Sequence, residues 1–172
     1  MDGEQSDEVL VTRVARGDAR ALETLCRRWE RPLYAFLGRQ TGGRDVDDLF
    51  QDTWLRVVRS AHRFDPARRF STWLFQIALN RCRDWRRRPP PDPVDPADHA
   101  GAAAPASTSD ARLDVERLLA ALPEGQRSAV ILRYWHDCDE EEVGRILRIP
   151  RGTVKSRLHH AMRRLIALAR GR

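Results

Sequence analysis

The sequence predicts an all-α fold of two small helical domains joined by a flexible linker, with a helix-turn-helix in the second. Three observations predict it. Apolar residues recur at three- and four-residue spacing outside one segment, and no strand-like alternation of useful length interrupts them. The exceptional segment, PPPDPVDPADHAGAAAPASTSD from Pro89 to Asp110, has no Lys or Arg and no large apolar residue except Val94. It cannot build a core, so it divides the chain into domains over 7–88 and 111–170. As a flexible coil it would span roughly 25 Å, more where its prolines stiffen it, so the two domains could sit well apart. The third observation is DEEEVGRILRIPRGTVKSRLHHAMRRL, from Asp139 to Leu165, two amphipathic helices separated by Arg148 to Arg151. Asp139 and Glu142 have capping-box spacing, and Pro150 suits the first turn of the second helix.

In chain order, Asp7 to Arg16 forms a short helix closed by Gly17, and Asp18 caps the next. That helix carries Leu22, Leu25, Cys26, Trp29, Leu33, Phe36 and Leu37 on one stripe; Pro32 is expected to kink or divide it, and Thr41-Gly42-Gly43 ends it. Asp45 is expected to cap DVDDLFQDTWLRVVRSAHRF, in which Val46, Leu49, Phe50, Trp54, Val57 and Val58 point one way. Acids lead this helix and bases end it, an order that suits the macrodipole as well as a partner-binding face. FDPARRFSTW follows as a connector with two exposed-looking aromatics, then a helix with Trp73, Leu74, Ile77, Ala78 and Leu79. Its end, RCRDWRRR, suits either opened nucleic acid or a solvated helix end. Beyond the linker, Leu113, Leu118, Leu119 and Leu122 mark one helix, and Pro123 starts another with Ala129, Val130, Ile131 and Tyr134.

Composition narrows the function classes. A formal charge of +6 and 41% hydrophobic residues fit modest cores and an anionic partner, provided the positive charge is clustered. It is clustered: Arg151 to Arg172 contains seven Lys or Arg and no acid, and Lys155, Ser156, His159 and Arg163 lie opposite the apolar stripe of Val154, Leu158, Met162 and Leu165. Such a face suits phosphates and base edges, although the segment alone also reads as a solvated basic face. Cys26, Cys82 and Cys138 form no C-x-x-C pair, and His136-x-Cys138 is at most half a metal site, so neither a disulfide framework nor a bound metal is expected. No carboxylate or histidine cluster has catalytic spacing, and no cofactor is implied. Without a signal-peptide pattern or an apolar run near the ~20 residues of a membrane span, a cytoplasmic protein without membrane insertion is expected.

Residues 48 to 58, DLFQDTWLRVV, with FSTWLFQIALNRCRDWRRR, resemble the second conserved region of bacterial sigma factors, and LPEGQRSAVILRYW with IPRGTVKSRLHHAMRRL resembles the fourth. The likeness is to the extracytoplasmic-function class, which keeps only these two domains, and it covers almost all of the chain outside the linker and extreme termini. The resemblance implies a dissociable promoter-specificity subunit of RNA polymerase, active in stress responses, with core polymerase (clamp and flap), promoter DNA and an anti-sigma factor as partners. It places clamp binding at Asp48, Leu49, Gln51 and Asp52. It places minus-ten contacts at Phe64, Ser71, Thr72, Trp73 and Asn80, with Phe64 and Asn80 in the pocket for a flipped base and the connector between Arg63 and Thr72 as its loop. Minus-thirty-five contacts fall at Arg151, Thr153, Lys155, Ser156, His159 and Arg163. The linker is expected to thread the polymerase's RNA exit path, in keeping with its lack of basic residues.

The chain departs from the family pattern at Arg148, where glycine is usual in the turn, at Gly144, where alanine is usual, and at Cys138-Asp139, where leucine-serine is frequent. Arg148 is therefore expected to strain the turn or change it, and Gly144 to cost its helix about 1 kcal/mol relative to alanine. His159 obscures the promoter sequence, since its donor pattern depends on tautomer and charge. The competing reading is a helix-turn-helix regulator that binds duplex DNA without polymerase, which leaves the DLFQD helix and the segment from Trp73 to Arg88 without a role.

Overall fold

The computed structural model describes residues 5–88 and 110–170, with side chains of the second stretch from Asp114 onward. Eight α-helices occur among the described residues: α1 (Asp7–Val14), α2 (Ala19–Thr41), α3 (Val46–Ser60), α4 (Phe70–Arg87), α5 (Asp110–Ala120), α6 (Glu124–Trp135), α7 (Glu140–Leu147) and α8 (Arg151–Arg170). A 3-10 turn, Ala61–Arg63, follows α3. The described residues hold no strand, as expected. The expected linker lies outside them except for Asp110, which begins α5, and so does the side chain of Leu113.

The first domain packs α1, α3 and α4 around α2. Leu25, Leu33, Phe36 and Leu37 of α2 are wholly buried against Leu74, Phe75 and Leu79 of α4 and Val57 of α3. Pro32 does not divide α2, which runs unbroken through it for 23 residues. A proline removes one intrahelical bond, and buried side chains on both sides of Pro32 keep the helix continuous through it. Asp18 caps α2 by accepting from the backbone N–H groups of Arg20 (3.0 Å) and Ala21 (3.1 Å). Gly42, at φ 68°, closes it. Asp45 does not cap α3 with its side chain; it sits at φ 52°, and its carboxylate accepts from the Trp85 indole at 2.7 Å. Tertiary structure has redirected this carboxylate from the helix to a neighbour. Val58 lies past the edge of the buried stripe and is 42% exposed, while Val57 is fully buried.

The second domain buries Leu119 and Leu122, Val130 to Leu132 of α6, Val143, Ile146 and Leu147 of α7, and Val154, Leu158 and Ala161 of α8. Ala161 takes the place expected for Met162, which is exposed, because the stripe advances by three residues there and not four. Tyr134 is likewise on the surface. The capping box forms as expected: the Glu142 backbone N–H donates to Asp139 at 2.8 Å, and the Asp139 N–H to the Glu142 carboxylate at 2.9 Å.

The turn between α7 and α8 explains two of the three departures, those at Arg148 and Gly144. Arg148 adopts the left-handed conformation (φ 56°, ψ 49°), so the turn keeps the shape a glycine would favour and the arginine bears the strain. Gly144 is required by close approach: a Cβ there would lie 2.9 Å from the Ile149 carbonyl oxygen and 3.7 Å from Val154. Gly144→Ala is therefore expected to lower stability by about 1–3 kcal/mol through overpacking, against the ~1 kcal/mol that helix propensity alone would return. Denaturant unfolding measures the sign, and an unfolding midpoint above wild type would refute the steric reading.

Candidate functional site

Three polar faces stand out from these cores. The first is on α3, where Asp48 and Gln51 are exposed and Asp52 half-buried, all clear of the core stripe. Leu49, grouped with them from the sequence, is instead buried at 3% exposure and anchors the helix from below. Leu55, 52% exposed, continues the face one turn beyond Asp52. Its presence there was readable from its position outside the apolar stripe, yet sequence reasoning passed over it.

The second face is on α4 and the connector before it. Phe64 and Phe70 are not exposed: they are 9% and 0% accessible, and the Phe64 ring packs on Phe70 at 6.3 Å and on Trp73 at 5.0 Å. The 3-10 turn brings the connector back over the first turn of α4, and aromatic burial outweighs solvation. Ser71, Thr72, Trp73 and Asn80 are all half-buried. Seven residues, about 10 Å of helix axis, separate Trp73 from Asn80, so the Phe64 ring sits at one end of this face and the Asn80 amide two turns away. A carboxylate from α1 organises the same end, because Glu8 accepts from the Phe70 backbone N–H at 2.9 Å and caps α4 where Arg69 makes no side-chain cap. Burial would raise the Glu8 carboxyl, but that bond, its own backbone N–H, Ser6 and Arg69 hold it below its usual range.

Arg69, Gln76 and Arg83 stand seven residues apart and so form one line along α4. Each is bonded to the second domain. Arg69 pairs with Glu142 of the capping box, the Gln76 amide donates to the Arg145 carbonyl at 3.3 Å, and Arg83 meets Glu124 at 2.9 Å. Asn80 lies between the last two on the same line. The arginine-rich end of α4 is half-buried and paired through Arg86, and only Arg87 and Arg88 at its tip are exposed. Arg81 and Arg87 pair with Asp84, Arg86 with Glu124 and the Gln40 carbonyl, and Arg88 lies 3.9 Å from Asp52.

The third face is on α8. Arg151, Lys155, Ser156, His159 and Arg163 are exposed, and Thr153 is half-buried. Lys155, Ser156 and His159 share a surface as their spacing requires, but the cations at its start are engaged: Arg151 lies 2.9 Å and Lys155 3.8 Å from Glu140. Ser156 donates to the Thr153 carbonyl at 3.0 Å. Exposed pairs of this kind contribute at most about 1 kcal/mol, little enough for a phosphate to displace them.

The cysteines are poor nucleophiles. Burial pushes Cys26 up to about 11 and both Cys82 and Cys138 up to about 12. His136, two residues from Cys138, lies among aromatic rings, 5.6 Å from Phe36 and 4.5 Å from Phe75. Since the thiolate is the reactive form, Cys82 and Cys138 in the native chain should be alkylated by iodoacetamide at pH 8 at least ~100-fold more slowly than in urea. Rates within tenfold of the unfolded chain would contradict this burial.

Comparison with known proteins matches the two domains separately. Residues 25–89 match the family model described as Sigma-70 region 2, and residues 112–165 that described as Sigma-70, region 4. The chain is 31% identical to proteins named ECF RNA polymerase sigma-E factor from Salmonella typhimurium and from Escherichia coli K12, over 94% of its own length and 93% of theirs. Among solved structures, it resembles CnrH in complex with the cytosolic domain of CnrY, with TM-score 0.75 and 29% identity over 97% of this chain and 99% of that one. It also resembles the sigma factor RpoE from Bartonella quintana in complex with the anti-sigma factor NepR, with TM-score 0.71 and 25% identity over 86% of this chain and 96% of that one.

Proposed function

The chain belongs to the extracytoplasmic-function sigma factors of bacterial RNA polymerase and acts in transcription initiation, and from that premise we propose how its three faces divide the work. The α3 face of Asp48, Gln51 and Asp52 binds the clamp of core polymerase, with Leu55 as an added apolar contact and Leu49 as its buried support. The α4 face of Ser71, Thr72, Trp73 and Asn80 reads the minus-ten strand, and Phe64 backs Trp73 from within the core. The α8 face of Arg151, Thr153, Lys155, Ser156, His159 and Arg163 enters the minus-thirty-five major groove. The single observation that carries this reading is the segregation of the faces: one acidic, one amide- and aromatic-bearing, one basic, each on a different helix of a two-domain chain.

The physical division follows from charge and access. Phosphate contacts position a helix in a groove, and base-edge contacts from donors such as Lys155, Ser156 and His159 select sequence. A duplex hides a base's Watson–Crick edge, so reading at minus ten requires extruded bases, at a cost of a few kcal/mol each that stacking on Trp73 at one end of the face and hydrogen bonding to Asn80 at the other offset. Binding energy drives the opening, with no covalent chemistry by the chain. The protein acts in the cytoplasm; no helix among the described residues is long and apolar enough to cross a membrane. The solved relatives bound to CnrY and NepR support an anti-sigma partner for this chain as well.

The decisive test is run-off transcription with core polymerase on a genomic library, which a polymerase-independent regulator would fail to support. Reversing charge at Asp48 and Asp52 is expected to weaken competition for core polymerase and leave DNA binding by α8 intact, since complementary charge steers such contacts. Competition equal to wild type would remove the clamp assignment. Alanine at Lys155, Ser156 or His159 is expected to change preference by about 1–3 kcal/mol at one base pair where the contact is to a base edge, or to weaken all sequences alike and lower the salt slope where it is to phosphate. Wild-type activity of all three on every minus-thirty-five variant would show that another face of α8 meets the DNA. Asn80→Ala is expected to relax preference at one minus-ten base on both duplex and pre-melted promoters. Unaltered preference on both would take Asn80 out of the reading face.

A further inference from the structure

The two domains meet across a surface whose apolar centre is a histidine. His136, in the turn after α6, is wedged against Phe36 of α2 and Phe75 of α4, with ring centroids 5.6 and 4.5 Å away. Its Nε2 is buried and has no hydrogen-bond partner among the described residues. A neutral imidazole tolerates this, because Nε2 can be the ring's bare acceptor; a protonated ring has two N–H donors and would bury one unsatisfied. The charged groups acting on the ring are Arg39 from α2, which opposes a positive imidazole, and Asp137 from its own turn, which favours one; α4 presents the uncharged Phe75. Arg39 is held close by, with its guanidinium 5.1 Å from the Trp135 ring. Around this centre lie the polar contacts that cover α4: Arg69 with Glu142, Gln76 with the Arg145 carbonyl, and Arg83 with Glu124.

We propose that His136 is a proton-operated latch between the domains: neutral, it holds the second domain over the Arg69–Gln76–Arg83 line of α4, and protonated, it releases that face. The part of this concerning what the face reads rests on the minus-ten assignment above; the latch itself does not. Opening moves Phe36 and Phe75 away from the ring and returns Nε2 to water.

Burial, then Arg39, pull His136 from its ordinary 6.5 down to about 4 in the closed form, with Asp137 acting the other way. The closed form thus binds the proton less well than the open form. Its histidine-dependent stability is full above pH 6.5 and declines as pH falls from there toward 4. Between pH 7.5 and 5.5 the closed-to-open ratio should fall about tenfold.

The test uses the full chain with donor and acceptor dyes at Arg59→Cys on α3 and Arg164→Cys on α8, both exposed positions. Energy transfer is expected to report a roughly tenfold shift toward the open form from pH 7.5 to 5.5, and the shift is expected to vanish in His136→Phe and His136→Gln. The His136 ring-proton NMR titration of the unsubstituted chain supplies a reading independent of any variant, with an expected midpoint well below the ordinary histidine value of 6.5. A shift that persists unchanged in both variants, no shift in the parent, or a His136 midpoint at the ordinary value of 6.5 would overturn the latch. Transcription with core polymerase at pH 7.5, measured beside these, reports on the sigma-factor reading alone, and Asn80→Ala base preference on the minus-ten assignment alone.

Discussion

The long helix α2 is the constraint on which the rest of the structure depends. Its first half buries Ala21 and Leu25 within the first domain, while its last two turns present Phe36, Arg39 and Gln40 toward the second. Gln40 is wholly buried and its amide donates to Ser128 of α6 at 3.1 Å. Its backbone carbonyl, in the last turn of α2, accepts from both Arg86 and Arg127. Cations suit that end of a helix, and the orphan carbonyls there need donors. Two guanidinium groups meeting at one carbonyl also repel each other, and burial, then Arg86, holds Arg127 below its usual range while Glu124 opposes both. A break at Pro32 would have separated the two halves of this helix and removed the α2 part of the second domain's docking surface.

Glu142 has a comparable double role on the other side of the contact. One carboxylate oxygen accepts the Asp139 N–H of the capping box, and the other pairs with Arg69. The helix-turn-helix is thus joined to the connector of the first domain through the group that starts its own first helix. With Glu124 at Arg83 and Arg86, carboxylates of the second domain occupy positions beside arginines where nucleic-acid phosphates would otherwise be attracted. Glu140 does the same for Arg151 and Lys155. A chain of net charge +6 therefore keeps much of its positive charge internally paired. Displacing such a carboxylate by a phosphate would be sensitive to salt, since each phosphate neutralised releases counterions.

Much was determined by the sequence alone: the all-α class, the capping box at Asp139 and Glu142, and the opposed apolar and basic faces of α8 follow from local spacing and capping chemistry, which need no distant partner. So do the three polar faces in outline, because a charged or amide-bearing surface is what remains when the apolar stripe is assigned to the core. What required a neighbour was decided only by tertiary structure. Phe64 and Phe70 looked exposed because a connector has no periodicity from which burial can be read, and Asp45 looked like a cap because Trp85 lies forty residues away. Gly144 looked like a helix defect until the turn after α7 brought the Ile149 carbonyl close enough to exclude a Cβ. The pairing of Arg69, Gln76 and Arg83 with the second domain, and of His136 with Phe36 and Phe75, joins residues far apart in the chain. Local patterning reports which face of a helix is apolar; which surface that face or its polar opposite finally meets depends on contacts between segments distant in sequence, and those exist only once the chain has folded.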